Sequence, residues 1–373
     1  MKVTTALFFF FAAASASANE IPVRISLIEA LAPRDTTSSE RFQKDFEVAI
    51  STSKSKLSNK LKSCGYALET DVRFYDAGDP VQALERARQA VEAGTWMIVG
   101  PRRSNHYLLL AQGAGDVPTV SMMASADAVR DLGPRHLSLS PLNFEMASVA
   151  AQEAKRRLPS RVNATYFSIV ASDCISCKDF ADGFDKAAVA FGMKSLGRIA
   201  VSGEQPDLAP ILAKVKSGSP AFILLPNYSK LSSHLMAGIQ PHLKHGFFVG
   251  SDGWGDSKFG FVQNGKDLTG ASGFTVRGSP PIEKGLKQFA LGRALTQEHR
   301  PDTQPLSGAS LAILASLDGV ADILCKERPA NSKSFGEAFQ RFAPKRFVAP
   351  WGVSIYDLAH GEITYRRSIR KNK

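Results

Sequence analysis

Beyond its first twenty residues, this 373-residue chain has no apolar run approaching the ~20 residues that a bilayer-spanning helix needs. Cysteine is scarce, with four residues in all. The seven histidines never fall in an H-x-x-x-H spacing, and no second C-x-x-C is present to complete a zinc site. There is no G-x-S-x-G, no P-loop, and no G-x-G-x-x-G following a strand. Carboxylate pairs such as Asp182 and Asp185 fall on helix faces and read as solvated. These absences argue against the nucleophile, phosphate and dinucleotide chemistries that carry local signatures. No metal, no cofactor and no enzymatic activity are expected. No low-complexity linker divides the chain into separate beads.

What is present begins with Lys2, an apolar core opened by Leu7, Phe8, Phe9, Phe10 and Phe11, and the small-x-small pair Ala16 and Ala18. This is the pattern of a signal peptide over residues 1–18, cut between Ala18 and Asn19, so a periplasmic location is expected. Roughly 250–300 residues is the ceiling for one core, so the remaining length implies two domains. The formal charge of +11 raises the question of nucleic acid, but basic clusters are short: Arg102-Arg103, Lys155-Arg156-Arg157, and the tail from Arg366. Scattered cations read as a solubilising surface, or as attraction to an acidic envelope or an anionic ligand, and no nucleic-acid partner is expected.

Along the chain the grammar is strand, helix, strand, helix. Val23–Ile28, Ala67–Tyr75, Trp96–Val99 and Pro118–Ser121 read as strands, with helices over Arg41–Leu61, Pro80–Ala93 and Ser104–Gly113 between them. After Pro141 the same alternation restarts, with helices over 144–158, 178–191, 206–215 and 231–239. Strands at 166–170, 196–201, 221–225 and 246–250 separate them. Long helices follow over 285–299 and 307–326, and a hairpin over 353–356 and 362–365 closes the chain. Such alternation predicts parallel sheets covered by helices. Repetition of it predicts two similar three-layer α/β lobes.

These residues resemble the type I periplasmic solute-binding proteins of the leucine/isoleucine/valine-binding class. The resemblance rests on Tyr75-Asp76-Ala-Gly-Asp79-Pro80, then Trp96 to Pro101 and Ser104, then Val117 to Ser121 with Ala124-Ser125. Gly250-Ser-Asp252-Gly253-Trp254, the helix from Ser307 and the closing hairpin over 348–363 extend it across nearly the whole chain beyond residue 18. It implies two lobes joined by three crossings, near 138–144, 274–280 and 325–350. Lobe 1 is then 21–140 plus 280–330, and lobe 2 is 141–279 plus 331–373. It further implies a small-molecule solute in the cleft, an amino acid or related carboxylate. The implied partner is the membrane subunits of an ABC permease, with the chain itself a monomer. A ligand sensor signalling to a membrane partner without transport is the alternative.

The implied ligand-binding residues are Ser104, Met123, Ala124, Ser125, Tyr228, Asp252 and Trp254. Ser104 opens a helix, where a hydroxyl and unpaired N–H groups suit a carboxylate, although a plain N-cap also explains it. Ser125 stands where the class usually has Thr. Met122 and Met123 precede it in place of small residues. Asp252 matches a position that pairs with a ligand ammonium, though Asp-Gly is also an ordinary turn dipeptide. Tyr228 and Trp254 are candidate aromatic walls or core residues. Cys174 and Cys177 fall where many relatives carry a cleft-facing Tyr-Gly. They read as a local disulfide, as a redox pair at a helix start, or as part of a ligand site. Cys64 and Cys325 remain for a second bridge, and four cysteines allow three pairings.

Overall fold

A computed structural model describes residues 20–31, 36–160, 162–243, 246–254, 262–263, 266–267, 272–278, 308–347, 352–358 and 363–366. The expected signal peptide, the helix over 285–299 and the turn of the closing hairpin lie outside these residues.

The first sheet is built from β1 (Ile21–Leu31), β2 (Tyr66–Asp76), β3 (Met97–Val99), β4 (Thr119–Ser121) and β5 (His136–Ser138). Its order is β2-β1-β3-β4-β5 and every pair is parallel. Three of these strands are only three residues long and buried or nearly so, because helices cover both faces. On one face lie α2 (Val81–Glu92) and α3 (Ser104–Ala114), which bury Ala83, Ala87, Ala90, Tyr107 and Leu110 against Ile28 and Ile98. On the other lies α1 (Thr36–Ser63), whose Phe46, Ala49, Ile50, Leu57 and Leu61 pack against Val23, Ile25 and Leu27.

The second sheet takes β6 (Thr165–Ala171), β7 (Lys194–Val201), β8 (Phe222–Leu225), β9 (Phe247–Gly250) and β12 (Gly273–Arg277) in parallel. A short ribbon, β10 (Val262–Gln263) with β11 (Lys266–Asp267), stands apart from it. β13 (Val353–Asp357) and β14 (Ile363–Arg366) add antiparallel to the edge, the pairing a hairpin dictates. Around this sheet run α4 (Asn143–Arg157), α5 (Ile175–Ala190), α6 (Ala209–Gly218) and α7 (Ser229–Ile239). The core is aromatic. Tyr166 stacks on Phe222 at 5.0 Å and Phe222 on Phe247 at 5.3 Å.

Besides the short β5, β10 and β11, two longer elements were not anticipated. β12 hides its strand character behind Gly273 and Arg277. The arginine is buried because its guanidinium lies 4.6 Å over the Tyr356 ring. α9 (Ser332–Arg346) falls inside a span read as a crossing. Its signals are an Asn331 N-cap, whose side chain accepts the Ser334 N–H at 3.0 Å, and Phe335, Ala338, Phe339 and Ala343 at helical spacing. Those residues and Phe347 join the core of the first lobe alongside α8 (Gly308–Glu327), with Phe335 at 5.9 Å from Trp96. This corrects the assignment of 331–373 to the second lobe: residues 332–347 pack with the first. Among the described residues the chain changes lobe between β5 and α4, between β12 and α8, and between α9 and β13. Two α/β lobes with predominantly parallel sheets result.

Cys64 at the end of α1 is bridged to Cys325 at the end of α8, closing a sequence separation of 261. A loop that long removes much entropy from the unfolded chain. The Cys64→Ser/Cys325→Ser variant should lose about 2–4 kcal/mol of stability in denaturant unfolding under oxidising conditions. A loss below measurement error would place the tie between α1 and α8 in their packing alone.

Candidate functional site

Ligands of open α/β sheets sit beyond the carboxyl ends of the strands. Here the loops after β3, β4, β6, β8 and β9 meet around one cavity of about 280 Å³ between the lobes. From the first lobe come Arg102, Arg103, Ser104, Met123 and Ser125. From the second come Ser176, Cys177, Pro226, Tyr228, Ser251, Asp252 and Gly253.

The first-lobe wall is set by a few buried polar groups. Gly100 has φ +109°, and a Cβ there would run into the Ile28 carbonyl oxygen, so only glycine fits. Glu29, at the end of β1, is buried and accepts N–H bonds from Ala30 at 3.0 Å and Arg102 at 3.1 Å. The Arg102 Nε lies 3.3 Å from its other side. Burial pushes the Glu29 carboxyl up, and the Arg102 guanidinium opposes that shift. Ser104 does not face the cavity as a free hydroxyl alone. Its Oγ accepts the N–H groups of Ser125 and Ala126, each at 3.1 Å. Ser121 Oγ does the same for Met123 and Ala124, at 3.3 and 2.8 Å.

The second-lobe wall is held likewise. Asn227 is fully buried, its Oδ1 accepting the Ala171 N–H and its Nδ2 donating to the Ile169 carbonyl, both at 2.8 Å. Ser251 Oγ donates to the Pro226 carbonyl at 3.1 Å and accepts the Gly253 N–H at 3.2 Å. This shapes the turn that presents Asp252. Cys174 caps α5 by accepting the Cys177 N–H at 3.2 Å, and the two sulfurs are bridged. The bridge lies against the cavity through Cys177. No cysteine is free.

The walls touch. Burial pushes the Asp252 carboxyl up to about 6, and the neighbouring Ser125 hydroxyl works against that shift. The Asp127 N–H donates to Asp179 Oδ2 at 3.0 Å. At the first crossing Asn143 joins both sides: its N–H donates to the Ser125 carbonyl at 2.7 Å, and its Nδ2 to the Ser176 carbonyl at 2.9 Å.

Of the residues singled out from sequence, Ser104, Met123, Ser125, Tyr228 and Asp252 line the cavity, with Tyr228 exposed at its rim. Ala124 does not line it; it is buried against the α2–α3 face of the first sheet. Trp254 is no cavity wall either. It is fully buried, lies over Gly250, and donates its Nε1–H to the Leu225 carbonyl at 2.8 Å. Arg102 and Arg103 were seen only as a basic cluster. Their place directly after a strand that ends in Gly100-Pro101, just before Ser104, was the available signal. Ser176 and Ser251 carried none. Among the described residues no group of three side chains is arranged to hold a metal ion.

No family model matches the chain, and no curated protein matches it. Solved structures do. The leucine binding protein LivK of Thermotoga maritima is 13% identical with a TM-score of 0.71, covering 92% of this chain and 97% of that one. A solute binding protein of an ABC transporter from Rhodopseudomonas palustris BisB5, in complex with 3,4-dihydroxybenzoic acid, is 17% identical with a TM-score of 0.63. The match covers 84% of each chain. A further R. palustris solute binding protein, in complex with 4-hydroxybenzoate, is 15% identical with a TM-score of 0.69, covering 93% and 96%. Likeness at this identity establishes the fold, which is that of the type I periplasmic binding proteins.

Proposed function

We propose that this chain is an extracytoplasmic receptor that captures a small carboxylate-bearing solute, an amino acid or a related acid, in the cleft between its lobes. It delivers the solute to an ABC permease, which recognises the closed form. The observation that carries the reading is the cavity itself, built from loops of both lobes, with guanidinium groups on one wall and a carboxyl on the other. At about 280 Å³ its volume lies just below the ~300–1,000 Å³ typical of small-molecule sites, which suits a solute of amino-acid size. A ligand touching both walls binds the closed state better than the open one, which is the requirement for driving closure. Solute binding by proteins of this fold, leucine and hydroxybenzoates included, supports it.

Thermal unfolding in the presence of amino acids, amides, short organic acids and aromatic acids tests the proposal. A true ligand at about 100 times its Kd adds about 2.7 kcal/mol and raises Tm visibly. If no compound of these classes raises Tm, the receptor reading fails.

A further inference from the structure

The loop after β4 has little left with which to bind an anion. Its five successive amides, from Met123 to Asp127, are all engaged: two by Ser121 Oγ, two by Ser104 Oγ, and the last by Asp179. The Ser125 hydroxyl lies beside Asp252 and lowers its pKa against burial. The Arg102 N–H and guanidinium are matched by buried Glu29. Arg103 differs. It is exposed, lines the cavity, and among the described residues forms no ion pair; its hydrogen bond is to the Ala77 carbonyl at 3.4 Å. Of the charged groups around it, none forms an ion pair with it among the described residues. Burial, and then Arg103 itself, hold His106 down at about 4, so that ring is neutral at pH 7. Asp79 keeps its charge but is held by the Val81 N–H and Gln82 at the start of α2.

Resting on the receptor reading, we infer that Arg103 is the anchor for the solute's carboxylate, in place of helix and loop N–H groups. With Asp252 from the other lobe, the cavity is lined by a guanidinium and a carboxyl that form no ion pair among the described residues. The occupant they fit is a small zwitterion carrying one carboxylate and one ammonium. A guanidinium binds a carboxylate through paired N–H donors, which a lysine cannot reproduce.

The test measures binding of each common L-amino acid by calorimetry, together with the decarboxylated amine of the tightest binder and 4-hydroxybenzoate. Wild type, Arg103→Gln and Arg103→Lys are compared, with thermal melts to verify folding. Arg103→Gln should weaken the amino acid about 10- to 100-fold, Arg103→Lys should recover part of that loss, and the amine should bind all three alike. Undiminished amino-acid binding in Arg103→Gln overturns the inference and leaves the receptor reading standing. So does a loss confined to L-glutamate and L-aspartate, which would place a side-chain carboxylate at Arg103. Binding of 4-hydroxybenzoate as tightly as the amino acid overturns the zwitterion. Failure of wild type to bind any of these probes overturns the inference, and the receptor reading falls with it only if the wider panel of amides and organic acids also leaves Tm unchanged.

Discussion

Asp252→Asn should abolish high-affinity binding of an ammonium-bearing solute and, at the same time, stabilise the empty protein. The two effects have one cause. Burial raises the Asp252 carboxyl from 3.8 to about 6, so its ionised form is disfavoured in the folded state even with the Ser125 hydroxyl upon it. A folded value above the unfolded one means that the native state binds more protons between the two. Stability from this group is therefore present below pH 4 and is lost as pH rises through 6. Asparagine mimics the protonated form. At pH 7.5 the variant should gain about 1–2 kcal/mol, less than the full shift of ~2 units implies, because the side chain keeps some exposure. At pH 4.5 the gain should shrink. Binding moves the other way: stranding a ligand ammonium opposite a neutral amide should cost about 2–5 kcal/mol. In wild type, affinity for the zwitterion should fall about tenfold per pH unit below 6, where the free carboxyl takes up its proton. Melts and calorimetry at the two pH values check both halves. A variant that melts lower at pH 7.5, or binds as tightly as wild type, is incompatible with this account.

Trp254→Ala should be the most damaging single change among the residues discussed. The indole is fully buried and its Nε1–H satisfies the Leu225 carbonyl. Its removal should cost about 3–5 kcal/mol through the cavity left behind. The site should suffer as well. Asp252–Trp254 forms one short turn, closed by the Trp254 N–H on the Ser251 carbonyl at 3.2 Å, so the indole is what pins Asp252 to the core. Trp254→Phe keeps most of the volume but leaves the Leu225 carbonyl unpaired, and should cost about 1–3 kcal/mol. Denaturant unfolding separates the two variants. If Trp254→Ala unfolds within 1 kcal/mol of wild type, the indole is not the anchor proposed.

The sequence pattern reached far because most of the fold is locally encoded. Strand and helix alternation, with Ala83, Ala87 and Ala90 on one face of α2 and a continuous apolar run in β8, is dictated by the two periodicities and by burial on both faces. The ligand loops were placed by the family resemblance, and the rule for open sheets agrees with where they lie. Elements were missed where tertiary contacts override local signals. β12 carries an arginine that only the Tyr356 ring makes tolerable, and α9 lies in a span that looked like a connection.

By itself the sequence determined the two-lobed alternation and the loops that converge on a cleft, because hydrophobic period and turn chemistry act over a few residues. Only the tertiary structure decided which side chains are available there. Ser104 and Ser121 consume the amides of the β4 loop, Glu29 matches Arg102, and Trp254 turns away into the core. Apart from the local Ser121 turn, each of these outcomes depends on a partner between 21 and 73 residues away, and no local pattern carries that information.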